Sequence, residues 1–189
     1  MPTHASLKDQ FLIAMPTLAD PNFAKTLTYI CEHGEHGAMG IVINRPSDLH
    51  LGDIFEHMSI EQGQPACAKD PVYIGGPVEE ERGFVLHTPT GGAVWDSTLA
   101  INDQISVTTS RDILEAMAHG QGPSRSLVAL GYAGWGAGQL EEELQHNSWL
   151  SGPADLDILF ELPSQQRWKA AAGLLGVDLN LLSAEAGHA

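Results

Sequence analysis

Cations are scarce in this chain: 9 lysines and arginines stand against 24 aspartates and glutamates in 189 residues, a formal net charge of −15. The cations are also scattered, from Lys8 through Arg45 and Arg82 to Arg167 and Lys169. Non-specific nucleic-acid affinity needs clustered cations that displace counterions, and a field of this sign repels polyphosphate at long range. Direct nucleic-acid binding is therefore disfavoured, and so is docking on an anionic membrane. Cysteine is nearly absent as well. Cys31 and Cys67 are too few for a disulfide framework, so the chain is expected to be cytoplasmic, reduced and monomeric in that state. No apolar run within Met1–Gln10 resembles a signal peptide, and no stretch approaches the length of a membrane span. There is no Pro/Ser-rich linker, internal repeat or low-complexity block.

What is present is an ordinary globular mixture, 43% hydrophobic and 17% charged with 20 glycines. That suits one domain over residues 1–189, with about 1–10 and 184–189 as loose ends. Strand-length apolar runs occur at Phe11–Met15, Leu27–Cys31, Gly40–Asn44, Val72–Gly75, Gly83–His87, Gln104–Thr109, Ser126–Gly131 and Asp157–Glu161. Helical spacing appears in Leu51, Ile54, Phe55 and Met58, and in Arg111–His119 behind Ser110. It appears again in Gln139–Gln145, in Gln165–Leu175 behind Ser164, and in a short turn within Asp178–Ala189. The alternation is too uneven for a regular doubly wound sheet. The expected fold is a single-domain α/β sandwich, a mixed sheet flanked by helices.

Several motifs stand in order along this pattern. They are Phe11-Leu12-Ile13-Ala14-Met15-Pro16, Glu32-His33-Gly34, Gly37-Ala38-Met39-Gly40, Ile43-Asn44-Arg45-Pro46 and Gly75-Gly76-Pro77-Val78. Arg82-Gly83-Phe84-Val85-Leu86-His87, Gly131-Tyr132-Ala133-Gly134-Trp135 and Asn147-Ser148-Trp149-Leu150 follow. The set resembles the AlgH/YqgE family from residue 11 to the end of the chain. The resemblance implies a compact α/β sandwich and a genetic link to alginate and virulence regulation. It implies no particular reaction.

Candidate chemistry is sparse. Cys31, His33 and His36 are the most ligand-like group, because Cys31 and His33 would share one strand face with His36 just beyond a glycine turn. No fourth ligand has recognisable spacing, and a strand end with a polar hairpin explains the same residues. The glycines Gly131, Gly134, Gly136 and Gly138 match no phosphate-loop pattern, and Glu141-Glu142-Glu143 would repel phosphate there, so a flexible turn exposing Trp135 is expected. Cys67 lacks the basic setting of an activated thiol. His87 reads either as a general base or as a strand-end histidine satisfied by backbone.

Asn44-Arg45-Pro46 ends a strand with an amide, a guanidinium and a residue that stops pairing; it either presents binding groups or organises its own turn. Gly75 and Gly76 allow close approach of a ligand, or merely a tight exit from the strand. Trp135 and Trp149 flank the acidic segment that begins at Gln139. Both are equally suited to a binding surface or to a core.

The first expectation is a non-enzymatic regulatory or adaptor protein. It would bind a protein partner through a partly apolar surface of Asn44, Arg45, Pro46, Gly75, Gly76, Trp135, Gln139 and Trp149. The second is a small-molecule hydrolase or metal-dependent enzyme using His33, His36, Asn44, Arg45 or His87, which requires a pocket that gathers them. The third, a direct transcriptional regulator, conflicts with the charge. No motif calls for a cofactor.

Overall fold

The computed structural model describes residues 6–63, 65–89 and 94–186. Strands β1 (Gln10–Ala14), β2 (Leu27–Gly34) and β3 (Gly37–Val42) form an antiparallel meander. β4 (Pro46–His50), β5 (Pro71–Ile74), β6 (Val78–His87), β7 (Thr98–Ala100) and β8 (Ser106–Thr108) build the other end. The long β9 (Ser126–Gly136) serves both halves, and β10 (Trp149–Pro153) returns to pair with β1. Among the described residues these form one ten-stranded sheet, in the order β10-β1-β2-β3-β9-β6-β8-β7, with β5 joining β4 to β9. The α/β content agrees with the sequence pattern, but the layered mixed sheet does not. Among the described residues only the β5–β9 pairing is parallel, and the sheet curls into half a barrel. Short reversals such as the Glu35–His36 turn force antiparallel neighbours, whereas a parallel pair needs a long crossover.

Helices cover both faces. On one face α4 (Leu156–Phe160), α5 (Ser164–Gly173) and α6 (Leu179–Ala186) bring Leu159, Ala171, Ala172 and Leu179 onto Phe11, Tyr29, Ile41 and Leu86. Each large apolar side chain buried here contributes about 1.5–3 kcal/mol. On the opposite face α1 (Leu51–His57) and α2 (Arg111–Ala118) place Leu51, Phe55, Ile113 and Met117 on Val72, Val85 and Val128. Also on that face, α3 (Gln139–Gln145) seats Leu140 among Leu12, Ile30 and Ala133. Among the described residues no helix is long and apolar enough to cross a membrane.

Three departures from the sequence pattern have local causes. Asp157–Glu161, expected as a strand, is helical, because the Asp155 carboxylate accepts the Ile158 amide (3.0 Å) as an N-cap. β4 and β7 were not anticipated, since both are largely exposed and carry little apolar signal. The ends expected to be loose are partly structured: Gln10 belongs to β1, and 184–186 complete α6. Residues 1–5 and 187–189 of those ends lie outside the described residues.

β9 holds the halves together by bending. Leu127 and Ala129 face the α4–α5 side, and so does Tyr132, so the two-residue alternation slips by one place at Gly131 (φ +80°). The end of β5 crosses there. The Gly75 amide donates to the Leu130 carbonyl and its own carbonyl accepts from Val42, both at 2.8 Å, which ties β9 to β3. A Cβ on Gly75 or Gly76 would collide with the backbone of Gly131 or Tyr132, and one on Gly131 with the Gly76 carbonyl.

Gly131→Ala should therefore cost about 3 kcal/mol or more, combining left-handed strain with a backbone collision. Gly138→Ala is the control, since Gly138 shares the conformation (φ +76°) with nothing within 4 Å of the added carbon. It should cost about 1 kcal/mol. Equal urea midpoints for the two variants would mean that the crossing imposes no constraint.

Candidate functional site

The metal candidates are separated by one irregularity in β2. Its pairing with β3 shifts register between Ile30 and Glu32, and a bulge of this kind breaks the alternation of faces. Cys31 turns into the core beside Tyr29, where burial pushes its thiol far above the ordinary range. His33 faces α3 instead. Its Nδ1 accepts the Leu7 amide (2.8 Å), which leaves Nε2 as the protonated nitrogen donating to Glu141. His36 is exposed in the hairpin. Among the described residues no three His, Cys, Asp or Glu side chains come together as a metal site requires.

The aromatic surface expected around α3 is interior. Trp135 is 5% exposed and Trp149 2%. Their rings pack edge to face at 6.0 Å, with Phe23 against both at 6.1 and 5.5 Å. Both indole N–H groups donate to Glu143 Oε1, at 3.2 and 2.9 Å, and Gln139 Nε2 donates to Oε2 at 2.9 Å. Buried tryptophan needs a partner for its N–H, and the acidic helix supplies it. Trp135, Gln139 and Trp149 thus converge, but on a carboxylate of their own chain. The flexible turn expected at Gly131–Gly138 is strand β9 as far as Gly136, bent at Gly131, and Gly138 opens α3.

Asn44 and Arg45 likewise bond within their own chain. Asn44 Oδ1 accepts the Leu27 amide (2.8 Å) and its Nδ2 donates to the Lys25 carbonyl (2.9 Å). Arg45 donates from Nη1 to the Asn22 carbonyl (2.6 Å) and from Nη2 to that of Ala24 (2.9 Å). Together they shape the loop that delivers Phe23 to the two tryptophans. Pro46 is exposed at the start of β4, and Gly75 and Gly76 are absorbed by the crossing with β9.

His87 is buried at the end of β6. The geometry fits Nδ1–H donating to the Thr88 carbonyl (2.9 Å), which leaves Nε2 to accept from the Thr108 hydroxyl (2.7 Å). Burial lowers its pKa, which favours this neutral form. A hydroxyl on an imidazole resembles a nucleophile and its base. Thr108 is fully buried, however, and its hydroxyl also accepts from the Thr98 hydroxyl (2.8 Å), so the pair fastens β6, β7 and β8 together, although Thr108 borders a cleft. The residues of the enzyme reading do not share a pocket: His36 and Asn44 lie at opposite ends of β3, roughly 25 Å apart along an extended chain.

Two open clefts remain among the described residues: one of about 800 Å³ lined in part by Met39, Arg82, Phe84, Tyr132 and Trp135, and a more apolar one that none of the expected site residues lines. The second runs between α1 and α2 over β6 and β9, with a volume of about 980 Å³, the size of a ligand pocket. Gly83, Val85, Val128 and Leu130 form the floor, with Ile54, Met58 and Leu114 as walls. Gly83 has nothing within 4 Å of the position a Cβ would take, so the missing side chain itself is part of the space. Asp53, Glu56, Glu80 and Glu81 line the rim, opposed by His57 and by Arg111, which is paired with Glu115 at 2.7 Å. The signal in the sequence was the glycine inside an apolar strand, which marks close approach or open space.

A half-barrel sheet whose polar side chains fasten its own loops and helices defines a class of scaffold rather than a reaction. The chain belongs to the AlgH-like family (DUF179), whose family model matches residues 11–180. It is 61% identical over 189 residues to a UPF0301 protein of Thioalkalivibrio sulfidiphilus, covering 100% of both chains. It is 52% identical, again over all of both, to a UPF0301 protein of Nitrosococcus oceani. The solution structure of the AlgH protein from Pseudomonas aeruginosa superposes with a TM-score of 0.78 at 53% identity, covering 100% of each chain. The crystal structure of a Corynebacterium diphtheriae protein shares the fold alone, with a TM-score of 0.77 at 20% identity over 97% and 94% of the chains.

Two expectations follow. Glu143→Ala leaves two buried indole N–H groups unpaired; it should cost about 2–4 kcal/mol and shift tryptophan emission to the red, as read by denaturation and fluorescence. Unchanged emission would mean that Glu143 does not hold the pair. Cys31 and Cys67 pack in clusters on opposite faces of the sheet. In native protein Ellman's reagent should modify Cys67 alone and slowly, since partial burial raises its pKa too, with Cys31 reacting only after unfolding. Two equivalents of rapid reaction would contradict this placement.

Proposed function

We propose that this chain is a non-enzymatic cytoplasmic adaptor that seats a short, basic, amphipathic segment of a partner protein in the cleft between α1 and α2. The supporting observation is the pairing of an apolar floor, left open by Gly83, with a rim of four carboxylates. An apolar stripe at helical spacing fits such a groove, and flanking lysines or arginines complement both the rim and the net charge of −15. The same acidity opposes direct contact with nucleic acid. Occupancy of the cleft would give the regulatory role that the family's name suggests a physical form.

Gly83→Phe tests this directly. The added ring enters open space from an unstrained backbone, so thermal stability should stay near wild type while the cleft fills. A fluorescein-labelled Leu/Lys amphipathic peptide should bind wild type in the micromolar range and lose about tenfold or more on Gly83→Phe. Capture from lysate should lose the same partner. Peptide binding indifferent to Gly83→Phe, or absent altogether, would remove the cleft as a docking site.

A further inference from the structure

Arg167 is a buried cation with no ion-pair partner among the described residues. It is 4% exposed, at the fourth position of α5. Nε donates to the Leu162 carbonyl (2.8 Å) and Nη1 to the Ile43 carbonyl (2.6 Å), two of five available N–H groups. The guanidinium stacks over the Tyr73 ring at 5.1 Å. No carboxylate among the described residues lies within ion-pair distance of it. Buried charges are ordinarily paired, because taking an ion from water without a counterion is costly. Burial duly lowers the Arg167 pKa, although a guanidinium still carries its charge at neutral pH.

Arg167 lines a cavity of about 140 Å³ between β5, the start of β9, α4 and α5. Tyr73, Ser126 and Phe160 form its sides, and the exposed Asp70 stands at the mouth. The Ser126 hydroxyl makes no side-chain hydrogen bond to another described residue. The volume is well below the ~300 Å³ at which drug-sized pockets begin, and it suits an ion of a few heavy atoms.

We propose that this cavity binds a small oxyanion of the carboxylate or phosphate class, held by the Arg167 guanidinium with the Ser126 hydroxyl as a second donor. Guanidinium N–H groups match the oxygens of either anion, and such charge-assisted bonds are roughly twice as strong as those between neutral groups. The ion would complete the join between α5 and the strands beneath it. Asp70 opposes entry from the mouth and so favours small anions that can sit beyond it. The site shares only Val128 with the lining of the α1–α2 cleft, and the proposal does not rest on that cleft's occupancy.

The test is a ¹H–¹⁵N NMR titration of the full chain with sodium phosphate and, separately, sodium acetate, with sodium chloride holding ionic strength constant. Saturable shifts confined to Tyr73, Ser126, Leu127 and the Arg167 Nε–H are expected with one or both probes; a phosphate-only or acetate-only response identifies the class. Ser126→Ala should weaken binding about threefold to tenfold, the worth of one net hydrogen bond. Asp70→Asn should strengthen it about threefold, because an exposed like charge is partly screened. Arg167→Lys should abolish it; if that variant does not fold, the Ser126 and Asp70 variants carry the test without it. Shifts that fail to saturate, spread over the surface, or ignore both of those variants would overturn the site.

Discussion

The rest of the structure depends on a backbone crossing that only glycine permits. At Gly75, Gly76 and Gly131 the end of β5 passes so close to β9 that any side chain would strike a carbonyl or peptide carbon. In exchange, Gly75 joins Leu130 of β9 to Val42 of β3 through its own amide and carbonyl. The slip at Gly131 lets one strand serve two surroundings. Before it, Val128 and Leu130 floor the α1–α2 cleft; after it, Ala133 and Trp135 receive α3. Without the bend the half-barrel would lose the element common to both halves.

Charge in this acidic chain works largely inside it. Glu141 holds His33, and Glu143 holds two indoles and Gln139. Arg45 and Arg167 donate to main-chain carbonyls, while Arg82, Arg111 and Arg125 pair with neighbouring carboxylates. With 9 cations against 24 carboxylates most of the carboxylates have no cation to pair with, so the chain carries a strongly anionic field. That asymmetry is the physical basis for expecting a basic partner at the cleft and a small anion only where a guanidinium is hidden from the field.

Much of the architecture was legible as local pattern. Continuous apolar runs marked β1, β3 and β9, and the Leu51, Ile54, Phe55 and Met58 spacing marked α1, because burial on both faces or on one stripe imposes those periods. The signal failed where burial was slight, as in β4 and β7, and where a cap outweighed composition, as Asp155 did for α4. The candidate site was less legible. Asn44, Arg45, Trp135, Gln139 and Trp149 were expected as a binding surface, and the contacts their side chains make are with the chain itself. A side chain's donors can be counted in one dimension, but its acceptors are chosen in three.

By itself, then, the sequence determined the family, the α/β content and the anionic character, since each follows from composition or from the order of local motifs. Only the tertiary structure decided the rest. It showed that a bulge of one residue parts Cys31 from His33, that Phe23 meets two tryptophans 112 and 126 residues further on, and that Gly83 leaves a cleft while no carboxylate among the described residues pairs with Arg167. Those are properties of space between distant segments. Register, curl and the absence of a neighbour exist only once the whole sheet has closed around them.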